Sequence, residues 1–341
     1  MEEQISTKEI LSVSSAPHIR AKDTTQKIMF AVVISLMPAL LGSVYFFGAR
    51  ALWLTLFSVI TAVLTEWTIQ KLRKVDITVS DGSAIVTGIL LAFNLPGGVP
   101  WWMPVVGSFF AISIGKQAFG GLGFNPMNPA LLGRAFLLAS WPVHMTTDWT
   151  APISGTKSGI STVTTATPLA VLKEAIDNLS IEDKAQQALQ TIAELKGSYL
   201  KLFLGNVGGC IGETSVLLLL IGVVYLLYKG YINYRIPLSY IATVAIFTWI
   251  FGGPNGNFSG DPLFHILSGG LIVGAFFMAT DMITSPSTPK GQWIFGLGCG
   301  IFTVIIRRVG GYPEGVSYSI LLMNLTTPLL DRYLKHKPFG S

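Results

Sequence analysis

The sequence predicts an all-α polytopic membrane protein: about ten transmembrane helices in two inverted five-helix repeats, with an extracytoplasmic loop domain. Three observations lead there. Half of the 341 residues are hydrophobic and only 12% are charged, about half the charge of an ordinary soluble domain. The apolar residues gather in blocks approaching the roughly 20 needed to cross a bilayer, and the mean hydropathy is +0.57. Finally, Gly-rich helix starts recur in the two halves of the chain.

Taken in order, residues 1–26 are polar, lack an apolar core near Met1 and read as a cytoplasmic segment rather than a cleavable signal. The first membrane half, 27–143, holds candidate spans near 27–47, 50–70, 82–96, 101–117 and 128–143. The third and fifth are short and flanked by Gly and Pro, as in broken or re-entrant helices around a protein-buried site. Residues 144–208 form the extracytoplasmic loop. The second half, 209–331, holds spans near 211–228, 236–252, 262–280, 292–306 and 315–331, and 332–341 is a cytoplasmic tail.

Short-loop charges set the orientation. Lys71, Arg73, Lys74, Lys229, Arg235 and Lys290 share one side with both termini, taken as cytoplasmic. Arg50, Arg307 and Arg308 break that pattern. The basic residues are spread out, so the net charge of +5 indicates membrane topology rather than nucleic-acid binding.

The halves echo each other. "SDGSAIVTGILLAF" (80–93) begins the third span and "SGDPLFHILSGGLIVGAFF" (259–277) the eighth. "GGLGFNPMNPALL" (120–132) precedes the fifth and "RVGGYPEGVSYSILL" (308–322) the tenth. Five spans per half, an odd number, require the second half to be inverted.

Metal chemistry finds no pattern. Cys210 and Cys299 are too few for a cluster needing about four thiolates and read as small apolar-packed side chains. His18, His144, His265 and His336 lack metal-ligand spacing. Asp81, after Ser80 and before an apolar run, suits a helix cap; Asp281 holds the corresponding place in the second half.

Within the loop, Thr162, Thr164, Thr165 and Thr167 crowd before "PLAVLKEAIDNL". Pro168 suits the first helical position, which makes Thr167 the N-cap. Free N–H groups at that helix start also attract phosphate, so a cap and a phosphoester attachment point are compatible.

"TTATPLA" (164–170) resembles the flavinylation motif of the D subunit of Rnf complexes and the B subunit of sodium-pumping NADH:quinone oxidoreductases. "SDGSAIVTGILLAFNLP", "GKQAFGGLGFNPMNPALLGRAFL", "FFMATDMITSPSTPKGQWIFGLGCG" and "RRVGGYPEGVSYSILLMNL" are similar to the Rnf D subunit as well, so the likeness covers nearly the whole chain. The resemblance implies FMN joined to Thr167 through a phosphoester, and a second flavin, riboflavin. It also implies a flavin-attaching enzyme and other Rnf subunits as partners in a bacterial cytoplasmic membrane. The activity implied is electron relay between reduced ferredoxin and NAD, coupled to Na⁺ or H⁺ transport, with no catalysis by this subunit alone. Two positions depart from the motif: Thr165 stands where the family has Gly, and Ser161 where it has an acidic residue.

Arg307 and Arg308 with Gly310 and Gly311 are candidate holders of the FMN, since Arg pairs well with phosphate; lipid headgroups are the other reading. Asn125 and Asn128 offer amides to the edge of a second flavin, or form a re-entrant turn. Arg134, one turn into the fifth span, joins them as an intramembrane charge or snorkels to the surface. The competing class is a secondary transporter or channel with no redox role, for which the Thr-rich loop has no use.

Overall fold

Thr24 caps the first helix: its hydroxyl accepts the Lys27 N–H at 3.3 Å, one of the donors a helix start leaves free. From there α1 (Thr25–Phe47) and α2 (Ala49–Leu72) run through apolar sequence. They meet at Gly48, whose φ of 74° turns the chain where a side chain would be strained. The structure is a computed structural model and describes residues 23–152, 166–179, 181–213, 215–253, 256–311 and 314–334. The first half continues through α3 (Ser83–Phe93), α4 (Trp102–Ser113), α5 (Pro129–Ser140) and the short α6 (Pro142–Thr147). Next come α7 (Pro168–Asn178), α8 (Glu182–Lys196) and α9 (Tyr199–Leu204). The second half comprises α10 (Val216–Lys229), α11 (Arg235–Phe251), α12 (Pro262–Leu267), α13 (Leu271–Val273), α14 (Pro289–Val309) and α15 (Val316–Tyr333). Each stretch read as a span coincides with a helix or a helix pair.

By length and composition α1, α2 and α14 are able to cross a bilayer. Leu41, Trp53, Leu64, Leu297 and Ile305 on these helices are exposed. An apolar exterior of this kind suits lipid rather than water, and the chain is a membrane protein. By contrast, the 11 residues of α3 rise only about 16 Å, roughly half the hydrocarbon thickness.

Packing follows small residues. At the α1–α10 crossing a Cβ on Gly222 would lie 2.0 Å from the Ser35 carbonyl oxygen, so the backbones approach as closely as glycine permits. Gly296 and Gly300, one helical turn apart on α14, receive α11 in the same way: a Cβ on Gly296 would lie 1.8 Å from Ser239 Oγ. Buried hydroxyls add hydrogen bonds between helices. Ser58 on α2 donates to the Gly88 carbonyl of α3 at 2.7 Å and shares a 2.8 Å bond with Ser108 of α4. In the second half Tyr240, Thr303 and Ser319 join α11, α14 and α15 through contacts of 2.6–2.9 Å. One apolar core spans both halves, from Leu36, Leu91 and Leu131 to Phe295 and Ile320. A second, smaller one joins Leu169 and Leu172 of α7 and Ile192 of α8 to Leu202 of α9 and Phe264 of α12.

The eighth predicted span, read as continuous over 262–280, is interrupted. α12 stops at Leu267, Gly269 and Gly270 take φ of 71° and 67°, and α13 resumes into a π-turn over Gly274–Met278. Such a break frees carbonyls that lipid cannot satisfy. Arg307 of α14 satisfies them: its guanidinium donates to the carbonyls of His265 (2.7 Å), Ser268 (3.1 Å) and Gly269 (3.4 Å). Arg50 plays a similar part in the first half, donating to the carbonyls of Gly98 at 2.7 Å and Val99 at 3.1 Å.

Candidate functional site

Thr167 occupies the N-cap of α7, with extended backbone, and its hydroxyl accepts the Ala170 N–H at 3.3 Å. Pro168 follows at the first helical position, where its missing N–H costs nothing. Contacts on several sides hold this helix and the loop domain it begins. Leu169 packs so closely on the break that a Cβ on Gly269 would lie 2.1 Å from its Cδ1. Lys173 donates to the Gly310 carbonyl. Farther along the loop domain, the Tyr199 hydroxyl donates to the Asp261 carboxylate at the start of α12. Desolvation, then the Asp261 hydrogen bond and charge, push the Tyr199 phenol up to about 12.

Beside Thr167 lies a cavity of about 230 Å³. Its walls include Leu138 and Met145 with the rings of Trp149 and Tyr318, and its polar groups include Arg134 and Glu314. Gly311 also lines it. Arg134 is buried on α5; it donates to Asn94 Oδ1 at 3.1 Å and to Ser317 Oγ at 2.6 Å, and it pairs with the Glu314 carboxylate. Its Nε–H has no partner among the described residues. Behind the pair, Cys210 Sγ and the carboxylates of Glu213 and Glu314 come within 4.8 Å of one another. The chain is drawn there because Ile211 and Gly212 donate to the Leu95 and Phe93 carbonyls at 2.9 and 3.0 Å. Both cysteines are buried and free.

A second cavity, about 200 Å³, lies along α7 and is lined by Leu169, Lys173, His265, Arg307 and Arg308. Arg307 is thus near the loop helix, but its guanidinium is committed to the broken span and to the Glu314 carbonyl at 3.2 Å. Arg308 is exposed and lines the cavity, Gly310 receives Lys173, and Gly311 faces the Thr167 cavity.

At the opposite end of α5 a cavity of about 90 Å³ lies between the halves, lined by Ser83, Lys116, Asn125, Asn128, Phe277 and Asp281 among others. Asn128 caps α5, accepting the Ala130 and Leu131 N–H groups at 3.0 and 3.3 Å. Asn125 donates to the Met127 carbonyl at 3.1 Å, and its Oδ1 is buried without a partner among the described residues. Arg134 does not join them. Six residues carry it about 9 Å along the helix, into the Thr167 cavity. Lys116 is a fully buried ammonium, 2.7 Å from the Glu66 carboxylate and 2.6 Å from Ser83 Oγ. Gln117 and Gln70 donate to the same carboxylate at 2.9 and 3.3 Å.

Thr167, Arg134 and Gly311 therefore share one cavity, while Asn125 and Asn128 share another. Thr164, Thr165 and Ser161 lie outside the described residues. Sequence reasoning missed Glu66, Lys116, Glu213 and Glu314; each is an ionisable residue in or beside an apolar block, a signal of function or pairing in membranes. Asp81 accepts the Ser83 N–H at 2.7 Å just before α3, and Asp281 accepts the Ile283 N–H at 3.3 Å.

The model of the NQR2, RnfD, RnfE family matches residues 12–340. The chain is 53% identical to the D subunit of the Na(+)-translocating ferredoxin:NAD(+) oxidoreductase complex of Acetobacterium woodii, over 97% of this chain and 95% of that one. It is 50% identical to the D subunit of the proton-translocating ferredoxin:NAD(+) oxidoreductase complex of Clostridium ljungdahlii, over 98% and 97%. To the D subunit of the ion-translocating oxidoreductase complex of Stutzerimonas stutzeri it is 37% identical, over 94% and 93%.

Proposed function

Since the chain belongs to the NQR2, RnfD, RnfE family, we propose that it is the D subunit of an ion-translocating ferredoxin:NAD oxidoreductase complex, carrying FMN as a phosphoester on Thr167. The observation that supports this most is the union of a helix N-cap threonine with an adjoining cavity of about 230 Å³. Apolar and aromatic walls suit a planar ring, and the α7 N-terminus suits the phosphate. The unpartnered Nε–H of Arg134 supplies a polar group that no described residue uses. When bound, a flavin supplies one- and two-electron transfer. The chain's own residues hold its phosphate at the cap, wall its ring from water and fix the loop domain to the rest of the fold through Lys173 and Tyr199.

The proposed architecture has ten spans in two inverted repeats. In support, α2 packs on α3 and α4 as α11 packs on α12 and α14, and α5 meets α15. α5 begins at the Asn128 cavity and α15 at the Thr167 cavity, as inversion requires. The membrane is the bacterial cytoplasmic membrane, with residues 144–208 outside. A separate flavin-attaching enzyme modifies Thr167, and Asn125, whose Oδ1 has no partner among the described residues, offers a contact to the edge of a second flavin such as riboflavin.

The test is complementation. Membranes from cells lacking this chain are supplied with wild type or Thr167→Ala, and ferredoxin-driven NAD reduction and ion uptake are measured. The wild type restores both; restoration of both by Thr167→Ala contradicts a flavin on Thr167 as the electron relay.

A further inference from the structure

We propose that Arg134 contacts the polar edge of the Thr167-linked flavin ring and that Arg134 and Glu314 together, with opposite sign, set its reduction potential. The inference rests on the reading that Thr167 carries FMN.

Four observations lead to it. Arg134 and Thr167 line one cavity, although 33 positions separate them in the chain. Arg134 is only 7% exposed, and its Nε–H lacks a partner among the described residues; a buried donor left unmade is costly. The rest of the guanidinium is fixed by Asn94, Ser317 and Glu314, so the direction of its Nε–H is set. Glu314, itself 8% exposed, lines the same cavity and brings a negative charge beside the positive one.

Chemistry gives the pair its consequence. Two-electron reduction takes up two electrons and one proton at N5 and leaves a negative charge over N1 and the neighbouring carbonyl (FMN + 2e⁻ + H⁺ → FMNH⁻). The electrons come from the one-electron carriers of the ferredoxin-driven complex. A buried guanidinium near that edge stabilises the reduced ring, and a buried carboxylate destabilises it, because low-dielectric surroundings strengthen both effects. Three further ionisable groups lie close by. The Cys210 thiol is 3.9 Å from both Arg134 and Glu314, Glu213 accepts the Cys210 N–H at 3.0 Å, and Arg307 spends its donors on carbonyls. None of them changes in the variants below, so the shifts report Arg134 and Glu314.

The test uses the full chain co-expressed with the flavin-attaching enzyme, as wild type, Arg134→Gln, Arg134→Lys and Glu314→Gln. Flavin fluorescence of the denatured band first establishes attachment, and spectroelectrochemical titration then gives the midpoint potential. Arg134→Gln is expected to lower the reduced-to-oxidised ratio about tenfold at fixed potential, about 30 mV for a two-electron couple. Glu314→Gln is expected to raise it by a similar factor, and Arg134→Lys to stay near wild type. With flavin attached, shifts of the same sign in the two Gln variants, or no shift in either, overturn the proposal. If Arg134→Gln does not fold, Glu314→Gln decides: no rise overturns it. A wild-type band without covalent flavin instead refutes the Thr167 reading, and the proposal with it.

Discussion

Replacing Lys116 with Met is the sharpest perturbation of the cavity between the halves. The side chain is similar in length, so packing changes little, but the charge disappears. Among the described residues Glu66 then keeps the Gln117 and Gln70 amides, at 2.9 and 3.3 Å, and loses an ammonium at 2.7 Å in a site where the two side chains are 2% and 0% exposed. An uncompensated buried charge costs about 3–5 kcal/mol, more than a hundredfold in the folded population. Glu66→Gln should cost a comparable amount for the mirror reason. The double variant, lacking both charges, should cost less than the two singles together by more than about 1 kcal/mol. The assay is a double-mutant cycle on detergent-solubilised protein, unfolded by denaturant and followed by circular dichroism. Single variants within about 0.5 kcal/mol of wild type, as at ordinary surface positions, would show that Glu66 and Lys116 do not depend on each other's charge.

The helix crossings, the chain break and the loop domain each give a further expectation. Gly296→Leu should cost about 3 kcal/mol or prevent folding, because its Cβ alone reaches 1.8 Å from Ser239 Oγ; size-exclusion and thermal melting check this. Arg307→Lys, unable to reach several carbonyls at once, should cost about 2–3 kcal/mol and speed hydrogen exchange across residues 265–274. Tyr199 is neutral in the folded protein up to about 12, against an ordinary value of 10.0. Its contribution is therefore complete below pH 10 and lost as pH rises towards about 12. Limited proteolysis of the loop domain should increase over that window, and Tyr199→Phe should remove that pH dependence.

The helices were legible because lipid demands long apolar blocks, and Thr167 as a cap was legible because Thr-Pro before an amphipathic run is a local signal. The break in the eighth span was half visible as Ser268-Gly269-Gly270. What hid it was that its carbonyls are satisfied by Arg307, some forty residues later. Arg50 and Arg307, exceptions to a charge rule in the sequence, are clamps on chain breaks in the fold. Proximity in sequence groups Arg134 with Asn125 and Asn128, yet its partner Glu314 lies 180 positions away, a pairing only helix packing specifies. Lys116 and Glu66, 50 positions apart, were hidden for the same reason.

The proposed electron relay depends on a flavin at Thr167. Peptide mass spectrometry of the chain co-expressed with the flavin-attaching enzyme tests it most directly. An FMN-sized adduct is expected on the peptide containing Thr167, retained after denaturation and absent from Thr167→Ala. An unmodified wild-type peptide, or an adduct that survives in Thr167→Ala on Thr164 or Thr165, contradicts it.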